Sequence, residues 1–230
     1  MQSRNKHTDT PESTTTLRHN HLVFFPLLTL ILILWFLYRR LFAFPVCFDE
    51  TVGKALFFGI PVWVYIAVTG FDKITDSFAY NKLREGLLLG IAVGGMYGFL
   101  MSILSLAQRG AVVEAVLLFD SPVFWKEFVL ALLTSYWETL LFFGFVMTVL
   151  MDKYRNWSFV KLSLITAIIF VIFHIPNALL RFSGVYVLSQ IFVLSLFAFG
   201  QALLFFERRN GYALVLSQAI WGMVLLVHAW

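Results

Sequence analysis

The sequence predicts an all-α protein, a polytopic transmembrane helical bundle of about seven helices. Three observations predict it. Hydrophobic residues make up 60% of the chain and charged residues 13%, where a soluble domain has about a quarter charged. Apolar runs recur at close to the roughly 20 residues a helix needs to cross a bilayer. Most Lys and Arg residues fall between those runs, as in loops beside anionic headgroups. This composition leaves no room for a separate soluble domain. The net charge of +4 is dispersed, so it is no nucleic-acid footprint, and the expected partner is the lipid bilayer. The single Cys47 excludes an internal disulfide framework and a cysteine-based metal cluster.

In chain order, residues 1–21 are polar and lack apolar periodicity. They read as a mobile tail. His7, His19 and His21 lie in it as solvated side chains, with no metal site assigned. Residues 22–126 hold the N-terminal spans and connections, and residues 127–230 the remaining core. The first span, about Leu22 to Tyr38, ends at Arg39-Arg40. It is too long for a signal-peptide core and no small-residue cleavage site follows, so it reads as a retained helix.

Leu41 to Lys54, with Pro45, Asp49 and Glu50, reads as a connection. A short second span, about Ala55 to Thr69, is broken by Pro61. Phe71 to Glu85 is a charged loop with room for an interfacial helical turn. The third span, about Gly86 to Leu106, carries Gly90, Gly94, Gly95 and Gly98. Small residues at four-residue spacing let helix backbones approach closely. Gln108 to Glu127 is a long connection, with a short surface helix expected over Ala111 to Phe119. Further spans cover about Phe128 to Met151, Leu162 to Leu180, Val185 to Phe206 and Tyr212 to Trp230.

Counting sides by alternation, eleven Lys/Arg fall with the N-terminal tail: Arg4, Lys6, Arg18, Lys73, Lys82, Arg84, Lys153, Arg155, Lys161, Arg208 and Arg209. Six fall opposite: Arg39, Arg40, Lys54, Arg109, Lys126 and Arg181. The positive-inside rule then makes the N-terminus of this integral membrane protein cytoplasmic.

Two ionisable groups lie inside apolar spans. Glu138 is near the middle of the fourth, and a carboxylate there costs at least a few kcal/mol on insertion scales. His174 lies within the fifth. At about 1.5 Å per residue, Glu138 is roughly 16 Å past Glu127 and His174 roughly 10 Å before Arg181, which is on the same face. In adjacent antiparallel helices the two can meet. Such a pair suits general-base activation of water; equally, a buried Glu–His hydrogen bond fixes helix register. Asn177 shares the face of His174, and Pro176 frees a carbonyl beside it. Gln218, one turn before Gly222, can donate two amide hydrogens, to an oxyanion or to another helix. No Ser-His-Asp set, facing Asp pair or His-Glu-x-x-His motif occurs, so serine, aspartyl and zinc intramembrane chemistries are unsupported.

The ordered motifs resemble the CAAX protease and bacteriocin-processing (CPBP) family of glutamate-type intramembrane proteases, over about Glu127 to Leu226. The family's Glu-Glu-x-x-x-Arg, usually followed by Gly, matches Glu138 to Gly144, with Glu138 in the first Glu position, Thr139 in the second and Phe143 in place of Arg. Phe-x-x-x-His is intact as Phe170 to His174, followed by Ile175-Pro176-Asn177. His-x-x-x-Asn falls on Gln218 to Gly222, with both polar positions changed. Gly200 to Asn210, a glycine in an apolar helix leading to Glu207-Arg208-Arg209, is also family-like. The resemblance implies a CPBP-like core and peptide-bond hydrolysis in the membrane without a cofactor or metal. Glu138 would be the base, His174 its helper and Gln218 the group that polarises the scissile carbonyl. The alternative it implies is an inactive relative that binds a membrane-associated peptide or protein. A transporter fits less well, because paired broken spans and multiple intramembrane charges are missing. The endopeptidase expectation requires Glu138, His174 and Gln218 to converge where water can reach.

Overall fold

A computed structural model of the chain describes residues 21–109 and 123–228. Seven long helices account for nearly all of them: α1 Phe24–Leu41, α2 Val46–Thr69, α3 Leu83–Arg109, α4 Phe124–Lys153, α5 Phe159–Arg181, α6 Val185–Arg208 and α7 Gly211–His228. Among the described residues there is no strand. Six of the seven are long and apolar enough to cross a membrane. The chain is therefore a multi-pass integral membrane protein, and exposed Leu30, Ile33, Leu88, Ile91 and Phe192 present its apolar outside to lipid.

The second span differs from expectation. The helix does not begin at Ala55; it starts at Val46, directly after Pro45, and stays helical through Pro61 to Thr69. A proline inside an α-helix removes one hydrogen bond and its ring meets the preceding turn. Here Ala55–Gly59, just before Ile60-Pro61, is wound as wider π-helical turns, which give the ring room. As a result Asp49, Glu50 and Lys54 lie inside a membrane helix rather than in a connection.

The loop before α3 contains the expected helical turns, Asp72–Phe78 and Tyr80–Lys82, both of 3-10 type. The tail through residue 20 and the surface helix expected over 111–119 lie outside the described residues. His21 is described, and it is not a solvated tail residue. It is buried, with Nδ1 2.6 Å from the Tyr65 hydroxyl and Nε2 3.0 Å from Asp152 Oδ2. Lys73 and Arg155 donate to Asp152 Oδ1. This cluster fastens the start of α1 to the ends of α2 and α4.

α4 is the central helix. Of its membrane window 56% is buried inside the bundle, against 22 to 33% for the other five. Its middle, Thr139–Met147, is again π-helical and wholly buried. Thr148 Oγ1 donates to the Phe143 carbonyl at 3.3 Å, a side-chain bond at the end of the π-helical stretch.

α7 packs along α3 and α4, and α5 along α6. The glycines of α3 make the first contact possible. A Cβ on Gly90 would lie 2.8 Å from Leu216 Cβ, and one on Gly94 2.9 Å from Ile220 Cβ. Gly95, one residue on, faces open space, so the close approach uses one face of the glycine-rich stretch. Gln201 Nε2 donates to Ser217 Oγ at 2.9 Å, tying α6 to α7 beside Gln218. Asn210 accepts from the Ala213 amide at the start of α7 and donates to the Lys82 carbonyl.

Candidate functional site

Glu138, His174 and Gln218 come from α4, α5 and α7, and the bundle brings all three together. Glu138 is 4% exposed. His174 Nε2 is 3.3 Å from Glu138 Oε1, and Gln218 Nε2 donates to Glu138 Oε2. A fourth residue joins them. Lys54 Nζ donates to Glu138 Oε1 at 2.5 Å and also pairs with Glu50 Oε2. Glu50 Oε2 in turn accepts from Thr134 Oγ1 at 3.1 Å. Glu50 and Lys54 are one helical turn apart on α2, as Thr134 and Glu138 are on α4. The two helices are thus joined rung to rung.

The spacing of Phe-x-x-x-His has a local physical reason. His174 Nδ1 donates to the Phe170 carbonyl at 2.8 Å, and the two rings stack with centroids 4.2 Å apart. Phe170 thus holds the imidazole by its backbone and by its ring. The Phe170 carbonyl can only accept, so Nδ1 carries a hydrogen. Nε2 and Glu138 Oε1 then bond only with one further proton between them. Trp35 Nε1 donates to the Phe173 carbonyl at 3.1 Å, anchoring α1 to the proline-bearing stretch of α5.

A carboxylate offers about four acceptor positions. On Glu138, Lys54 and His174 take Oε1 and Gln218 takes one position on Oε2, which leaves one position on Oε2. Gln218 keeps a second amide hydrogen, and its Oε1 is buried without a partner. Asn177 Oδ1 is likewise unpartnered. The side chain of His174 is 18% exposed, against 5% for Glu138 and 4% for Lys54. A Cβ added to Gly222, one turn beyond Gln218, would meet nothing within 4 Å, so that position faces open space.

The space around Phe143 and Thr139 is filled. Phe143 is fully buried against Phe170 and Phe205, with ring centroids 6.1 Å away in each case. Thr139 is fully buried and its hydroxyl is unpartnered. Lys54, Glu50 and Thr134 escaped the sequence reading. The signal that finds Lys54 is Glu50-x-x-x-Lys54 starting one turn after Pro45, a residue that favours helix starts. Reading Pro61 as a helix break hid it. Comparison of the chain with family models, characterised proteins and solved structures finds no match.

Proposed function

We propose that the protein is a divergent glutamate-type intramembrane endopeptidase of the kind its motifs resemble. The observation that carries this is the convergence of His174 and Gln218, from two other helices, on the Glu138 carboxylate, whose Oε2 keeps one acceptor position that these side chains do not take. Glu138 Oε2 accepts a proton from water as the water oxygen adds to the scissile carbonyl carbon. The second amide hydrogen of Gln218 receives the oxygen that becomes negative. When the adduct collapses, the C–N bond breaks and the proton passes to the leaving amine. One water is consumed, and a carboxylic acid and an amine are released. His174 holds Glu138 in place and shares a proton with it. The substrate is a peptide or protein segment at or in the membrane.

A second reading has its own observation. The ion pair of Glu138 with Lys54 commits Oε1 of the carboxylate to a fixed partner and pins α2 to α4, which suits an inactive relative that serves as a binding or assembly partner. One experiment separates the two. Purified protein in detergent micelles is given a library of internally quenched peptides, as wild type, Glu138→Gln and His174→Ala. The endopeptidase loses hydrolysis in Glu138→Gln although the variant still folds and unfolds in one cooperative transition. The scaffold cleaves nothing as wild type and loses stability in His174→Ala.

A further inference from the structure

Lys54 carries more than a counter-charge requires. It arrives with Glu50 one turn earlier, so the two together bring no net charge to Glu138. What they bring is direction. Glu50 is held from behind by Thr134 on α4, and the ammonium is turned toward Glu138. The Lys54 side chain is 4% exposed and cannot turn outward to water. An ammonium has three hydrogens, and two of them are spent, on Glu50 and Glu138. Lys54 also lies between two π-helical segments, Asp49–Gly53 and Ala55–Gly59, a winding that recurs at functional sites. Across the same carboxylate, Gln218 keeps one free N–H, and the position one turn beyond it, Gly222, has no side chain to donate.

We infer that Lys54 is a catalytic residue of this site: its third ammonium hydrogen, with the free N–H of Gln218, donates to the oxyanion formed from the scissile carbonyl. This rests on the endopeptidase reading above and adds to it a donor from a helix outside the motif-bearing region. The positive charge suits the role, because negative charge develops on that oxygen as water adds. Glu50 and Thr134 are positioning residues that keep Lys54 aimed.

The experiment measures kcat and KM separately, on a peptide the wild type cleaves, for Lys54→Met, Lys54→Arg and Glu138→Gln. Lys54→Met is expected to lower kcat about 100- to 1,000-fold, the usual loss for one oxyanion donor, with KM within about three-fold of wild type. Lys54→Arg, which keeps charge and donors, is expected to recover at least about ten-fold of that loss. A folded Lys54→Met with wild-type kcat overturns the inference. Where Lys54→Met does not fold, Glu50→Gln/Lys54→Met removes both charges together and is judged by the same kcat criterion. Loss of activity in Glu138→Gln with retention in Lys54→Met sinks the role of Lys54 alone. Full activity in Glu138→Gln, or a wild type that cleaves no peptide, sinks the endopeptidase reading and this inference with it.

Discussion

Lys54 Nζ lies 2.5 Å from Glu138 Oε1, an ion pair between two buried side chains 84 positions apart in the chain. It joins α2 to the central helix at the depth of the candidate site. Charges in that setting are held by partners or not held at all. The first prediction concerns their coupling. Lys54→Met and Glu138→Gln should each destabilise the protein, Lys54→Met by about 3–5 kcal/mol because it leaves two carboxylates short of a partner. The double variant should lose less than the sum, by about 1–3 kcal/mol. Chemical unfolding in detergent measures this, and additive losses would show that the pair is not energetically coupled.

The α3–α7 contact predicts a sharp contrast between neighbouring glycines. Gly90→Leu places a side chain where a Cβ already meets Leu216 Cβ at 2.8 Å and the Ala213 carbonyl at 3.0 Å. Forced overpacking of this kind costs about 1–3 kcal/mol. Gly95→Ala meets nothing and should be neutral or slightly stabilising through helix propensity. Melting temperatures of the two variants test this; equal effects would mean that α7 does not pack on the Gly90 face.

His21→Ala should lower stability by about 1–3 kcal/mol, because it leaves the Tyr65 hydroxyl and an Asp152 oxygen without that partner. His21→Phe fills the space without restoring the bonds, so it should not recover the loss. Unfolding midpoints of the two variants decide whether the cluster acts through hydrogen bonds or through packing.

Gly222→Asn places an amide one turn beyond Gln218, where a new Cβ has open space. The variant should fold with a near-wild-type melting temperature. Its kcat should rise about ten-fold, short of the 100- to 1,000-fold that one oxyanion donor is worth, because Lys54 already fills that role. A fall in kcat would mean that the open space is needed for substrate or water.

Much of the bundle is legible in the sequence because crossing a membrane is a local demand. A run of about 20 apolar residues closes its own backbone hydrogen bonds and needs no distant partner. Six of the seven expected spans coincide with helices whose described bounds lie within a few residues of the expected ones, and five of those six are long and apolar enough to cross a membrane. α2 does not, because Pro61 carries two meanings. It breaks an α-helix, but a π-helical turn before it accommodates the ring. The glycines of α3 announced close packing, but not that Gly90 and Gly94 would face α7 while Gly95 faces outward.

At the site, the residue order alone marks Glu138, His174 and Gln218 as polar groups stranded in apolar helices, each in need of a partner. Their order and the intact Phe170-to-His174 spacing also came from the sequence, since a carbonyl and a ring four residues back on one helix hold the imidazole. That Lys54 belongs with them follows from the packing of α2 on α4. A charge eight residues into a helix scores locally like a charge in a loop. Whether it is solvated or buried depends on which helix packs against it, and the carboxylate that receives Lys54 arrives from α4.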